Sequence, residues 1–287
     1  MLPEHTSLWQ VECSDGVKLH GLWEAPEARR GSPDPQRVVL LVHGTGSNFY
    51  GSTLLAPLAR RLRRGGYATL RVNTRGHDLA FAAHTPLGTH RLGATYELVD
   101  HCRYDLQAWL DHLQQQGARQ VVLLGHSLGA VKAVYFQAAQ PHEVVSHLVA
   151  VSPARLSYEY FAQSEQGPRF VEQFRRARQL VEQGRGEELL EVDFPLPYLA
   201  CARSFADKYG PEERYNLLRH LVHVSVPQLY TFGERELGHV AFAELPEEVP
   251  QHAAPDQPLQ VQVIPGADHQ YTGQVDRLAE AILDFLP

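Results

Sequence analysis

Ser127 stands at the centre of Gly125-His126-Ser127-Leu128-Gly129, with a glycine two residues to either side. The apolar run Val121-Val122-Leu123-Leu124 precedes it, and Ala130 to Phe136 follow it as a buried helix. Strand, G-x-S-x-G, helix is the setting of a nucleophile elbow, a turn so tight that the serine hydroxyl is pushed clear of the sheet. The free N–H groups that open the following helix then face the reacting centre. A serine hydroxyl is a poor nucleophile at neutral pH. It needs a base to take its proton and a third group that holds the base in the right tautomer. In an open parallel sheet such groups collect at the carboxyl ends of the strands. His269 lies five residues past the last expected strand, and Glu236 four past the strand before it. Ser127, Glu236 and His269 thus occur in the order nucleophile, acid, base.

The elements that must position these residues alternate along the chain. Leu8 to Cys13 and Val17 to Trp23 read as an antiparallel pair at a sheet edge, joined through the Asp15-Gly16 turn signal. A Pro-, Gly- and Arg-rich surface loop over residues 25–36 follows. Val38 to Val42 is a continuous apolar run, as expected of a parallel strand buried on both faces, and it leads into His43-Gly44-Thr45-Gly46. A helix from about Ser52 to Arg64, a strand from Tyr67 to Val72 and a long polar loop to about residue 95 come next. Leu98 to Leu113 has helical apolar spacing, Ser127 to Gln140 is the elbow helix, and His147 to Val151 is the sixth strand. Pro227 to Phe232 and Leu259 to Ile264 complete eight strands around a Pro- and Glu-rich excursion at 238–257, and Val275 to Leu286 is a closing helix. Such alternation specifies an α/β fold with a mostly parallel sheet covered on both faces.

Between Pro153 and Val224 no buried-strand run is visible. Helical spacing joins Phe170, Phe174, Ala177 and Val181, and Tyr198 to Tyr209 and Pro211 to Val222 read as two further helices. Ten of the 26 aromatic residues fall in this block, most of them expected to pack it onto the core. The organisation expected is a core of 1–152 and 225–287, with 153–224 as a helical lid inserted after the sixth strand.

A net charge of −7 gives no electrostatic reason to bind nucleic acid or an anionic membrane. Three scattered cysteines, Cys13, Cys102 and Cys201, suggest neither a disulfide framework nor a zinc site, and the pair His220 and His223 lacks the neighbours of a metal site. Gly44-x-Gly46 lacks the third glycine and downstream acid of a dinucleotide site, so no cofactor is expected. No apolar run approaches the roughly 20 residues of a membrane span, and Met1 to His5 do not open a signal peptide. The expected setting is cytoplasmic.

His43-Gly44 after the third strand, Arg75-Gly76-His77 after the fourth, the elbow, an acid just past Gly233, and the late Asp268-His269 together resemble an α/β-hydrolase. The resemblance spans residues 8 to 286 and is weakest in the block 153–224. It implies that Ser127 attacks a carbonyl and that His269 carries the proton to the leaving group. Glu236 matches the position of the acid, with Glu234 the fallback, while Asp268 is too close in sequence to reach the far ring nitrogen of His269. The oxyanion would be received by the backbone N–H groups of Thr45 and Leu128. His43 would shape the loop that carries Thr45, His126 is assigned no proton transfer, and Arg75 braces loops. A serine at 127 in place of aspartate argues against an epoxide hydrolase or a haloalkane dehalogenase.

The reaction so implied is hydrolysis of a carboxylic ester through an acyl-enzyme, on a small-molecule substrate with a hydrophobic acyl or aromatic part. Amide, thioester and carbon–carbon bond cleavage use the same machinery, and the sequence does not separate them. A transferase or lyase on the same fold is a further alternative. The alternative of another class is a non-catalytic protein that binds a small molecule in the same pocket.

Overall fold

A computed structural model describes residues 6–27, 36–86 and 88–287. Most of the surface loop expected at 25–36, and the first five residues, lie outside that set. The backbone is an eight-stranded sheet in the order β1-β2-β4-β3-β7-β8-β11-β12. The strands are β1 (Thr6–Glu12), β2 (Lys18–Glu24), β3 (Arg37–Val42), β4 (Ala68–Val72), β7 (Gln120–His126), β8 (Val145–Val151), β11 (Gln228–Gly233) and β12 (Leu259–Ile264). Only β2 runs against the rest, antiparallel to β1 and to β4; every other pairing in this sheet is parallel.

The continuous apolar runs are explained by burial on both faces. Val38, Leu40 and Val42 of β3 join one core with α2 (Cys102–Gln115) and α3 (Leu128–Ala139). Val39 and Leu41 join a second core on the opposite face, with α1 (Leu55–Arg64) and α8 (Val275–Phe285). The same alternation divides Val121 and Leu123 from Val122 and Leu124 on β7. Every residue of α3 from Leu128 to Gln137 is buried, because the helix is covered on its outer side by the segment between β8 and β11.

That segment packs around its own aromatic cluster. Phe161 of α4 (Tyr158–Gln163), Phe170 of α5 (Gly167–Glu182), Phe194, and Phe205 of α6 (Ala202–Lys208) are buried together against Leu128 and Val131 of α3. Their rings meet edge to face, for example Phe161 and Phe170 at 5.5 Å.

Several local expectations are corrected. The segment is not purely helical: β9 (Leu189–Val192) pairs with β10 (Tyr198–Cys201) in a two-stranded antiparallel ribbon. A helix does not start at Tyr198; it starts at Ala202, where the Cys201 thiol caps it by accepting the Ser204 N–H at 3.4 Å. No α-helix spans Pro211 to Val222, which holds two short 3₁₀ turns, Leu217–Arg219 and Leu221–His223. Glu213 there takes a left-handed backbone (φ 51°), and its carboxylate ties together Ser157, the Glu159 N–H and Asn216. The polar loop before residue 95 contains a hairpin of β5 (Phe81–Thr85) and β6 (Gly88–Leu92). The excursion at 238–257 contains α7 (Leu245–Gln251), whose first turn holds Pro246.

Candidate active site

Ser127 joins β7 to α3 with φ 56° and ψ −123°, a strained backbone for a residue with a side chain. Its N–H donates to the Val151 carbonyl at 2.9 Å, which fixes the elbow to β8. The flanking glycines are required by close approach. A Cβ on Gly125 would lie 2.2 Å from the Gly129 carbonyl oxygen, and one on Gly129 would lie 2.5 Å from the carbonyl oxygens of Val42 and His43. Backbone cannot yield as a side chain can. Gly129→Ala is therefore expected to cost about 3 kcal/mol or more, read as a lower urea midpoint.

Ser127 opens onto a cavity of about 570 Å³ whose wall also includes Thr45, His269 and Glu236. His269 lies in the turn after β12, and Glu236 in the 3₁₀ turn after β11. The structure brings these two together, with His269 Nδ1 2.6 Å from Glu236 Oε2. The other carboxylate oxygen accepts the Gly233 N–H at 2.8 Å and the Ser152 hydroxyl at 2.6 Å. Ser127 Oγ makes no hydrogen bond to a described residue, His269 included. The Leu128 and Thr45 N–H groups have no partner among the described residues either, and Leu128 is the first residue of α3.

The other candidates are held by other contacts. Glu234 accepts the Gly266 N–H at 2.7 Å. Asp268 accepts the N–H groups of Gln270 and Thr272 at 3.0 and 2.9 Å. Arg75 is buried and donates through Nε to Asp105 at 2.8 Å and through its terminal nitrogen to Asp15 at 2.7 Å. It lines a second cavity, of about 660 Å³, whose wall holds none of Ser127, His269 and Glu236.

Residues that the sequence did not single out complete the surroundings. Ser152 follows β8 directly and also meets the Tyr271 hydroxyl at 3.0 Å, which in turn meets Thr231 at 3.1 Å. These buried hydroxyls form a chain ending on Glu236. Ser152 satisfies the rule used to find Glu236, a polar side chain just past a strand, and could have been found by it. Tyr271 carried no such signal. The His269 ring lies between His126, at 4.7 Å, and Phe242, at 4.8 Å.

Two histidines hold the backbone of the site. His126 Nε2 donates to the His269 carbonyl at 2.9 Å. His43 Nδ1 donates to the Gly44 carbonyl at 2.8 Å, and its Nε2 accepts the Thr74 N–H at 3.1 Å, which ties the loop carrying Thr45 to the end of β4. Burial pushes both rings down to about 3, helped by the charge of Lys132 at His43 and by His269 at His126. Both are therefore neutral in the folded protein and take up a proton on unfolding below about pH 6.5, the ordinary histidine value. Their contribution to stability is complete above that pH and falls as the pH drops towards 3. The expected slope is about 1.4 kcal/mol per pH unit for each ring. His126→Gln keeps a donor for the His269 carbonyl. It is expected to flatten the fall of the urea midpoint between pH 6.5 and 4.

Among the described residues no group of three or more His, Cys, Asp or Glu side chains could hold a metal ion, and no helix is long and apolar enough to cross a membrane. No curated protein matches the chain in sequence. Solved structures match it over nearly its whole length. Est1E from Butyrivibrio proteoclasticus with ferulic acid bound is 17% identical at a TM-score of 0.65, covering 96% of this chain and 97% of that one. The Pyrococcus furiosus esterase Pf2001 is 18% identical at 0.64, covering 98% and 90%. The alpha/beta hydrolase GrgF from a Penicillium species is 16% identical at 0.71, covering 99% and 98%. At such identities the likeness speaks for the fold. The model of the alpha/beta hydrolase family matches residues 39–284, most of the chain. The chain therefore belongs to the alpha/beta hydrolase family, and the protein is an enzyme of the hydrolase class.

Proposed function

We propose that this hydrolase cleaves a carboxylic ester through an acyl-enzyme, with Ser127 as nucleophile, His269 as base and Glu236 as the acid that orients it. The observation that carries the reading is the 2.6 Å bond between Glu236 and His269 Nδ1, beside the cavity that Ser127 faces. A carboxylate on Nδ1 keeps the proton there and leaves Nε2 free to accept. Ser127 Oγ attacks the ester carbonyl carbon as its proton passes to Nε2. The negative charge developing on the carbonyl oxygen is received by the N–H groups of Leu128 and Thr45. The intermediate collapses, His269 returns the proton to the departing alkoxide, and the alcohol leaves acyl-Ser127 behind. Water then attacks the acyl carbon, giving its proton to His269, which passes it to Ser127 Oγ as the acyl–oxygen bond breaks, and the acid is released with the enzyme restored. The serine–histidine contact is one that tightens when a substrate carbonyl is engaged.

The segment 153–224 acts in this reading as a lid, because Leu196, Pro197, Tyr198 and Tyr209 supply part of the cavity wall. Most of its aromatic rings instead fill its own core. The apolar side chains of Leu196, Pro197 and Phe242 support a substrate with a hydrophobic part. That Est1E is solved with ferulic acid, and that Pf2001 is described as an esterase, agree with ester chemistry. The test is a panel of 4-nitrophenyl esters of increasing acyl length beside matched anilides and thioesters. Turnover of esters with a maximum at one chain length is expected. Faster cleavage of anilides or thioesters, relative to their spontaneous rates, would reassign the bond.

A further inference from the structure

The lid segment contributes a second kind of chemistry to the cavity wall. Lys208 is the last residue of α6 and lines the cavity that holds Ser127. Only 4% of it is exposed. Its ammonium makes no hydrogen bond and no ion pair among the described residues, and stands 4.8 Å from the centroid of the Tyr198 ring. Tyr198 lines the same cavity, and its hydroxyl oxygen is buried without a hydrogen-bond partner among the described residues. A buried ammonium ordinarily finds an anion.

The nearby charges do not balance Lys208. Glu97 is buried, and one of its oxygens pairs with Lys132 Nζ at 2.5 Å. Burial alone would raise the Glu97 carboxyl, but Lys132 and, more weakly, Lys208 outweigh it and hold the group below its ordinary value. His43, beside Lys132, is neutral, and burial with the field of Glu97 pushes the Tyr198 phenol well up, so it stays protonated. The buried group therefore sets two ammonium ions against one carboxylate. The other acids on the cavity wall are engaged elsewhere: Glu236 by His269, Ser152 and Gly233, and Asp268 by two backbone N–H groups.

We propose that Lys208, beside the Tyr198 ring, forms a carboxylate subsite, and that the natural substrate is an ester bearing one free carboxylate away from its scissile bond. The inference rests on the serine-hydrolase reading and specifies its substrate class. One surplus positive charge matches a monoanion; a phosphate dianion would leave a charge unpaired. The apolar wall then holds the chain between the two polar ends of the substrate.

Two matched ester pairs test this. Mono-4-nitrophenyl adipate against 4-nitrophenyl hexanoate places the carboxylate on the acyl side, and 4-carboxyphenyl hexanoate against phenyl hexanoate places it on the alcohol side. The readout is the ratio of kcat/KM within each pair, each divided by the spontaneous rate. The wild type is expected to favour the carboxylate in at least one pair by on the order of tenfold or more. Lys208→Met is expected to bring that ratio to about one, and Lys208→Arg, which keeps the charge, to preserve a preference. A wild-type ratio near one in both pairs overturns the subsite without needing any variant to fold, and so does a preference that survives in Lys208→Met. Labelling with a neutral fluorophosphonate separates the two failures. A labelled Ser127 with a ratio near one defeats the subsite alone, whereas an unlabelled folded enzyme defeats the serine mechanism and the inference with it.

Discussion

Replacing Ser127 by alanine is expected to lower ester turnover by about a millionfold in kcat, to the rate that binding and oxyanion stabilisation alone sustain. The size follows from the proposed chemistry, because without Oγ no acyl-enzyme forms and water must attack the ester directly. The fold should not suffer. Ser127 is anchored through its backbone N–H to Val151, and its hydroxyl bonds to no described residue, so alanine removes no internal contact of that oxygen. The urea midpoint of Ser127→Ala is expected within about 1 kcal/mol of the wild type. A variant with near-normal turnover and normal stability would remove Ser127 from the mechanism. Steady-state assay of a 4-nitrophenyl ester decides it, with active-site titration to exclude contaminating wild type.

The second large effect is expected at Glu236. Glu236→Gln keeps the shape of the side chain but replaces one acceptor oxygen by a donor. The wild-type carboxylate receives three donors: His269 Nδ1, the Gly233 N–H and the Ser152 hydroxyl. An amide oriented to accept from Gly233 and Ser152 turns its NH₂ towards Nδ1, which then favours the tautomer with the proton on Nε2. That histidine cannot take the serine proton. A loss of about ten-thousandfold in kcat is expected, with KM little changed. Glu234→Gln, by contrast, alters only a partly exposed contact with the Gly266 N–H and is expected to change kcat less than about threefold. Equal losses in the two variants would show that Glu236 does not orient the base.

The strand that carries Ser127 was legible because a parallel strand buried on both faces needs an unbroken apolar run, and β3 and β7 are buried along their whole lengths apart from the first residue of each. The elbow was legible because two backbone contacts there exclude any residue but glycine. What the sequence hid depends on contacts distant in the chain. The ribbon of β9 and β10 is four residues wide on each strand, too short for a period to emerge. Glu213 reads as an ordinary helical residue until Ser157 and Asn216 are seen to converge on it from either side. Lysine is rare in the chain, and nothing in the order Ala206-Asp207-Lys208 announces that the last side chain is buried on the wall of the cavity that Ser127 faces. Lys132 is different: its position inside the all-apolar run of α3 was visible, but its partner Glu97 was not. A one-dimensional pattern reports which face of an element is buried; it does not report which distant polar groups meet there.

The most direct test of the central claim is reaction of the wild-type enzyme with a fluorophosphonate, followed by intact-mass measurement and mapping of the modified peptide. An activated serine attacks phosphorus with loss of fluoride, so one adduct per chain is expected, located on Ser127, with ester turnover that falls in parallel with labelling. Glu236→Gln is expected to react far more slowly and Ser127→Ala not at all. A folded wild type that turns over esters while Ser127 stays unmodified, or an adduct that maps to another residue, would contradict that claim.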